Sequence, residues 1–275
     1  MIDVPPPAVT PRIDFARELA GQFDLAGQAA FLPGGYGGIG EAIAWMLGLA
    51  GARLLIGGRS LDKADALAAS LRSAGIEAQG VALDVNSVAD IRRATDATMD
   101  AFGRLDILVN CVGIQREEAL LDVTEEAYDD VYRVNLKAAM FVAQAAAKRQ
   151  IEGGRGGRQV HLLSVRSHLG LRARGYSAYC STKGGLVMLV KQHAMELAPE
   201  RITVNGIAPT FVYTDLIRHV MENSAFRQHL EGRIPLGRIA DPKDVAGPAL
   251  FFCAPASSFV TGQILYVDGG ITASQ

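Results

Sequence analysis

Short apolar runs that alternate with helical patterns are the feature that most constrains how this chain folds. The runs occur at residues 29–32, 54–56, 81–83, 105–109, 160–163, 202–207 and 264–267. Strands buried on both faces of a sheet have continuous apolar sequences, and their alternation with helices is typical of parallel sheets. The pattern predicts a single α/β domain with a seven-stranded, parallel, doubly wound sheet flanked by helices.

Helical periodicity between the runs supports the same architecture. Apolar residues recur at helical spacing over residues 40–50, 62–74, 87–102, 125–150 and 179–198, and Pro199 ends the last segment. The first 25 residues lie outside this alternation. We therefore predict an N-terminal arm at residues 1–25 and one domain at residues 26–275.

The charge balance and the apolar segments exclude several classes of function. The 275 residues carry a formal net charge of −2 without a basic block, which argues against nucleic acid or an anionic membrane as a partner. No apolar run reaches the length of about 18 residues that a membrane-spanning helix needs. The three separated cysteines suggest no disulfide framework, and the five histidines lack metal-ligand spacing. The sequence predicts a cytoplasmic protein without a metal site.

A cluster of glycines follows the first strand run and opens the first helical segment. Glycines there let the backbone approach a pyrophosphate, while a helix N-terminus offers free N–H donors and a positive dipole end. This context predicts dinucleotide binding, so residues 26–275 would form a dinucleotide-binding and catalytic domain. The loop fits Gly-x-Gly-x-x-Gly at Gly35, Gly37 and Gly40, or Gly-x-x-x-Gly-x-Gly at Gly34, Gly38 and Gly40.

The end of the second predicted strand bears on the choice between NAD and NADP. An acidic residue at this position hydrogen-bonds the adenosine ribose and repels a 2′-phosphate. This chain has Arg59 and Ser60 there and no acid. Because these two residues can hold a phosphate through charge-assisted hydrogen bonds, NADP is favoured over NAD. A solvated Arg59 at a strand end is the alternative interpretation.

Tyr179 and Lys183 are four residues apart at the start of a helical segment. Positions i and i+4 share one face of a helix, so the phenol and the ammonium would point into the same space. A neighbouring cation favours the phenolate and lowers the tyrosine pKa from its ordinary value of about 10. The pair is a candidate proton donor and acceptor, although the spacing alone also fits an exposed lysine beside a half-buried tyrosine.

Several motifs together resemble a known family. They are the glycine loop, Asp84-Val85, Asn110-Cys111-Val112-Gly113, Asn135, Ser164, Tyr179 with Lys183, and residues 209–214. This ordered set, over residues 23–273, is similar to the single-domain branch of the short-chain dehydrogenase/reductase family. The resemblance implies a Rossmann fold and selects Gly34, Gly38 and Gly40 as the glycine pattern.

The resemblance also implies a role for each matched catalytic residue. Tyr179 would be the general acid–base, and Lys183 would bind the nicotinamide ribose and lower the Tyr179 pKa. Ser164 would donate to the substrate oxygen where charge develops. Asn135 would hold a water molecule that links Lys183 to solvent.

A larger set of matched residues would bind the cofactor. Asp84 and Val85 would contact the adenine, and Val212 and Thr214 would contact the nicotinamide carboxamide. The implied cofactor-binding residues are Gly34, Tyr36, Gly38, Ile39, Gly40, Arg59, Asp84, Val85, Asn110, Gly113, Tyr179, Lys183, Pro209, Val212 and Thr214.

Two serines lie near the end of the fifth predicted strand. The register of that strand favours Ser164 as the serine of the family pattern, and the loop from Ser164 to Tyr179 is then two residues longer than usual. If the extra residues precede Ser167, that residue would take the role instead.

The function implied by the resemblance is an NAD(P)-dependent oxidoreductase that interconverts a secondary alcohol and a ketone. The sequence is similar to gluconate and polyol dehydrogenases, and an arginine-rich segment after Ser164 favours a sugar, polyol or sugar acid as substrate. That segment contains Arg166, His168, Arg172 and Arg174, which would either contact substrate or form a solvated loop. Family members usually pair through helices that match residues 125–150 and 179–198 and through a last strand that matches residues 263–270, so a homotetramer is expected.

Three alternatives remain open from the sequence. A 3-oxoacyl-carrier-protein reductase would share the motifs but present a basic patch to an acidic partner. A non-catalytic, cofactor-sensing binding protein would be expected to lack Tyr179, Lys183 or Ser164, all of which are present. Epimerases and dehydratases of the longer branch have a different glycine spacing and a larger C-terminal substrate region.

Overall fold

The computed structural model describes residue 19 and residues 21–172, 174–214 and 224–273. Most of the predicted arm, residues 1–18 and 20, therefore lies outside the described residues. The last residue of the predicted arm, Leu25, is fully buried and packs in the core, and its N–H donates to the carbonyl of Ala50.

The described residues form one seven-stranded sheet in which every pairing is parallel. The prediction of a doubly wound parallel sheet is confirmed. The spatial order is β3-β2-β1-β4-β5-β6-β7. The strands are β1 Ala29–Pro33, β2 Arg53–Gly58, β3 Ala78–Ala82, β4 Ile107–Asn110, β5 Gly157–Leu162, β6 Ile202–Pro209 and β7 Ile264–Val267.

Helices connect the strands and begin at residues that cap them. The side chains of Ser60, Ser87, Thr124 and Asp241 each accept a backbone hydrogen bond from the first turn of a helix. The helices are α1 Gly38–Leu49, α2 Leu61–Ser73, α3 Val88–Phe102, α4 Glu125–Tyr132, α5 Ala138–Gly153, α6 Ser177–Leu197, α7 Ser224–Glu231 and α8 Pro242–Cys253.

Two features differ from the helical prediction. The segment predicted as one helix over residues 125–150 is divided by a π-helical turn, Arg133–Lys137, between α4 and α5. Helix α8 was not predicted, although Asp241 and Asp244 form a capping box at its start. Pro248 lies inside α8, and a proline in the middle of a segment argues against a helix when only the sequence is considered.

Helices cover both faces of the sheet, and alternate side chains of the central strand β1 pack against the helices on each face. Ala30 and Leu32 pack with α1, α2 and α8, whereas Ala29 and Phe31 pack with α3 and α5 on the other face. Helix α6 lies on the second face and packs against β6 and α5. In the part of the chain that the structure describes, no helix is long and apolar enough to cross a membrane.

The strand order fixes where a ligand can bind. Strand β1 lies between β2 and β4, so the chain proceeds in opposite directions on the two sides of β1. In open parallel sheets, this point leaves a crevice at the carboxyl ends of the strands where ligands bind. The glycine loop follows β1 at this edge, and the Asn110-to-Gly113 segment follows β4.

Candidate active site

The glycine loop brings backbone atoms too close together for side chains. Gly34 has a φ of 73°, a conformation that favours glycine, and its N–H donates to the carbonyl of Gly57 at 2.7 Å. A Cβ added to Gly40 would lie 2.6 Å from the Gly34 carbonyl oxygen. Helix α1 begins at Gly38, and Gly37 caps it without a side chain, which leaves its first N–H groups available to a ligand.

A cavity of about 590 Å³ adjoins this loop at the carboxyl edge of β1, β2 and β4. Its floor is glycine-rich backbone at a helix N-terminus, its walls are largely apolar, and Arg59 lies at its margin. These features fit a dinucleotide. The lining residues are Gly34, Tyr36, Gly37, Gly58, Arg59, Leu83, Val85, Asn86, Cys111, Val112, Gly113, Ile114, Gln115, Arg116, Asp130 and Val134.

Tyr36 links the glycine loop to the end of β2. Its hydroxyl accepts a hydrogen bond from the N–H of Ser60 at 3.2 Å. Its ring lies so close to Gly58 that a Cβ there would meet the ring at 2.2 Å. Glycine at position 58 therefore makes room for the Tyr36 ring. The neighbouring residue, Arg59, is exposed, and its side chain forms no hydrogen bond or ion pair with another described residue.

The predicted adenine contacts have different environments. Val85 is buried and lines the cavity. Asp84 is exposed, lies outside the lining, and accepts hydrogen bonds from the backbone and side chain of Asn86 at 3.0 Å. Asn86 itself lines the cavity. Ile39, in the first turn of α1, packs against the core.

Tyr179, Lys183 and Ser164 come together beside the cavity. The Lys183 Nζ donates to the carbonyl of Leu162 at 2.7 Å and lies 5.7 Å from the centroid of the Tyr179 ring. The Ser164 hydroxyl lies near enough to the Tyr179 phenol to favour a lower pKa for that phenol. A Cβ added to Gly113 would lie 3.5 Å from the Lys183 Nζ, so Gly113 also borders this cluster.

Asn135 lies in the π-helical turn and is fully buried. Its Oδ1 accepts from the N–H of Ile114 at 2.8 Å, and its Nδ2 donates to the carbonyl of Ile114 at 2.9 Å and to Thr182 Oγ1 at 3.2 Å. π-Helical turns often occur at functional sites. Here the turn fixes the loop after β4 against the helix that carries Lys183.

Burial shifts the pKa of both members of the Tyr179–Lys183 pair. It raises the pKa of Tyr179 to about 12, against the opposing effects of the Ser164 hydroxyl and the Arg166 charge. It lowers the pKa of Lys183 to about 8. The predicted lowering of the phenol pKa by Lys183 is therefore not found, because desolvation outweighs the favourable interactions.

The other serine considered from the sequence has a different environment. The Ser167 hydroxyl lies 3.5 Å from the hydroxyl of Tyr266 on β7. Ser164, in contrast, interacts with the Tyr179 phenol and favours a lower pKa for it. The structure thus brings Ser164 rather than Ser167 to the Tyr179 phenol.

The segment after β6 approaches the glycine loop. Pro209 ends β6, and Val212 is buried and pairs with Ala240 in an isolated bridge. A Cβ added to Gly38 would lie 2.6 Å from Thr214 Cγ2, so Thr214 faces the start of α1. Asn110 is buried at the end of β4, where its Oδ1 accepts from the N–H of Val112 at 3.2 Å.

Several polar residues near the site were not singled out from the sequence. Arg116 and Asp130 line the cavity and form an ion pair at 3.0 Å. Arg116 follows the Asn110-to-Gly113 motif after β4 by three residues, and this position could have identified it as a candidate site residue. Among the residues that the structure describes, no group of three or more His, Cys, Asp and Glu residues could hold a metal ion.

Comparisons with known proteins agree with this geometry. The profile of a family described as Enoyl-(Acyl carrier protein) reductase matches residues 35–272. The 5-keto-D-gluconate 5-reductase of Escherichia coli (strain K12) is 34% identical over 249 residues, covering 90% of this chain and 97% of that protein. A 3-oxoacyl-(acyl-carrier-protein) reductase of Aquifex aeolicus is 34% identical over 251 residues, covering 91% of this chain and 99% of that protein.

The fold is shared with solved structures at similar identity. The crystal structure of a gluconate 5-dehydrogenase from Burkholderia cenocepacia J2315, in complex with NADP and tartrate, has a TM-score of 0.88. It is 36% identical, and the match covers 94% of this chain and 100% of that chain. The chain therefore belongs to the short-chain dehydrogenase/reductase family and is an NAD(P)-dependent oxidoreductase that acts on CH–OH groups.

Proposed function

We propose that this enzyme interconverts a secondary alcohol and a ketone in a sugar acid, with related sugars and polyols as further substrates. The observation that carries the reaction is the proximity of Ser164 to the Tyr179 phenol, with Lys183 buried beside them next to the dinucleotide cleft. The gluconate names of two relatives support the substrate class.

Each residue of the cluster has a distinct part in the proposed reaction. The Tyr179 phenol gives a proton to the ketone oxygen or takes one from the alcohol, and the Ser164 hydroxyl holds that oxygen by a hydrogen bond. Lys183 holds the nicotinamide ribose and supplies positive charge near the phenol. Asn135 fixes the loop after β4 beside Lys183, and we retain the proposal that it orders a relay water. The bound NAD(P) supplies or accepts the hydride.

The remaining predicted residues would hold the cofactor. Gly34, Gly38 and Gly40 would admit the pyrophosphate, and Tyr36 and Arg59 would lie at the adenosine ribose. Neighbouring positions would complete the site: Ile39, Asp84, Val85, Asn110, Gly113, Pro209, Val212 and Thr214. Together with the catalytic residues, they make residues 26–275 the proposed dinucleotide-binding and catalytic domain, preceded by the proposed arm.

Removal of Arg59 should change the cofactor preference. Arg59 is exposed at the cavity margin, and a guanidinium forms charge-assisted hydrogen bonds with a 2′-phosphate. We expect Arg59→Ala to weaken NADPH binding about 10- to 100-fold while NADH binding changes little. Fluorescence titration of both cofactors measures this difference. Arg92→Ala, which removes an exposed arginine on α3, is the matched control, and equal losses for both cofactors would contradict the assignment.

A 3-oxoacyl-carrier-protein reductase is the second candidate, because the Aquifex aeolicus relative is equally similar to this chain. Purified enzyme should be assayed with NADPH and with 5-keto-D-gluconate, fructose and a β-ketoacyl thioester. The proposal predicts the highest kcat/KM with the keto acid. A preference for the thioester would favour the second candidate. Cofactor binding without turnover of any substrate would favour a cofactor-sensing protein.

We also propose a cytoplasmic homotetramer. Exposed apolar side chains on α4 and α6 support an interface: Tyr128 and Tyr132 on α4, and Met188 and Met195 on α6. Leu265 on β7 is exposed as well. Light scattering on the purified protein should give the mass of four chains, and a monomeric mass would contradict the proposal.

A further inference from the structure

Arg166 lies two residues beyond Ser164, in the short 3-10 helix Val165–Ser167 that follows β5. Its backbone N–H donates to Ser164 Oγ at 3.2 Å, so its position is tied to the serine of the site. Its side chain is only 6% exposed. One end of the guanidinium, Nη1, donates to the carbonyls of Leu169 and Gly170. The loop therefore fixes the side chain without neutralising it.

The charge on Arg166 has no acidic partner among the described residues. Burying a guanidinium without a counter-charge is costly, and most buried cations in proteins are paired. The electrostatic neighbours of Arg166 are Tyr176, Tyr179, Cys180 and a second cation, Arg233. Burial and the charge of Arg233 lower the pKa of Arg166. The charged guanidinium of Arg166 is thus largely removed from water and interacts electrostatically with the Tyr179 phenol.

The other arginines near the site are either paired with an acidic residue or exposed to solvent. Arg174 forms an ion pair with Glu117, and Arg116 forms one with Asp130. Arg172 is exposed to solvent. The sequence left open whether the arginines after Ser164 contact substrate or form a solvated loop. Arg166 differs from Arg172 because it is buried, and from Arg174 because no acidic residue in the described part of the chain pairs with it.

We infer that Arg166 forms an anion subsite that binds the carboxylate of the substrate. This inference rests on the proposed oxidoreductase function and specifies which substrates it favours. A planar guanidinium matches a carboxylate in shape and can donate two hydrogen bonds to it. The bound carboxylate would supply the counter-charge that the described residues do not provide. The subsite would select sugar acids over neutral polyols of the same length.

The test compares an acid with a neutral substrate in matched variants. Arg166→Met and Arg166→Lys are assayed with NADP and either D-gluconate or D-sorbitol, and gluconate binding is measured separately by calorimetry. Arg172→Met removes an exposed arginine from the same loop and serves as the control. We expect Arg166→Met to reduce kcat/KM for gluconate about 10- to 100-fold relative to sorbitol, and to weaken gluconate binding similarly. Arg166→Lys should retain part of the selectivity, and Arg172→Met should retain all of it.

Other outcomes would overturn the inference or the proposed function separately. Equal losses with both substrates would mean that Arg166 acts on Tyr179 or on the loop, and would overturn the subsite. A wild-type enzyme that oxidises sorbitol but does not bind gluconate would also overturn it. Gluconate binding that depends on Arg166 without any turnover would support the subsite and contradict the proposed reaction. Melting temperatures and NADPH binding of each variant show whether it is folded.

Discussion

Tyr179→Phe should reduce kcat about a thousandfold or more while NADPH binding remains measurable. The substitution removes only the phenolic oxygen, which we propose transfers the proton, and a positioned acid–base group contributes about 10²- to 10⁴-fold to a rate. The ring stays in place against Tyr176, whose ring centroid is 6.0 Å away at an interplanar angle of 87°. Steady-state kinetics and fluorescence titration of NADPH measure the two quantities separately.

Tyr176→Phe is the matched control, because it removes a hydroxyl from the neighbouring tyrosine and should leave kcat nearly unchanged. A Tyr179→Phe enzyme with near-normal kcat would contradict the assigned role.

The pH dependence of the wild-type reaction gives a second check on the role of Tyr179. The phenol pKa of about 12 means that the phenolate needed for alcohol oxidation becomes more abundant as pH rises. Alcohol oxidation by the wild type should therefore increase towards alkaline pH, whereas ketone reduction, which needs the protonated phenol, should not.

The sheet was predictable because its strands are buried on both faces. Strand β1 is apolar throughout, so its sequence identifies a strand without any knowledge of its neighbours. Helix α8 was missed because Pro248 lies within its sequence, although its buried residues pack with those of α1 in the core. The π-helical turn was missed because helical spacing continues through it from α4 to α5.

Local spacing predicted the proximity of Tyr179 and Lys183, which share a helix. It could not give the direction of their pKa shifts, because burial depends on strands and loops distant in sequence. The same limit applies to Arg166, because only the structure shows that it is buried and that no described acidic residue pairs with it, whereas Arg174 and Arg116 form ion pairs. Spacing along the chain identifies candidate groups, whereas tertiary packing determines their charge.

Gly40→Ala should abolish NADPH binding or weaken it by at least about 100-fold. An added Cβ would lie 2.6 Å from the Gly34 carbonyl oxygen and 3.0 Å from the Gly35 Cα. Both contacts involve backbone atoms, so no side-chain rotation can relieve them and the loop itself must move. Because that loop and the first turn of α1 present the N–H groups proposed to bind the pyrophosphate, a small displacement would separate donors from phosphate oxygens.

The control for this prediction is Gly247→Ala in α8, where an added Cβ would have no atom within 4 Å. It makes the same chemical change in a helix, should leave NADPH binding unchanged, and should stabilise the fold by up to about 1 kcal/mol through helix propensity. Calorimetric titration and thermal unfolding of both variants separate a local effect from a global one. If Gly40→Ala melts near the wild-type temperature but binds NADPH with wild-type affinity, the glycine loop does not hold the pyrophosphate. If it loses binding while its melting temperature changes little, the loop geometry rather than overall stability determines cofactor affinity.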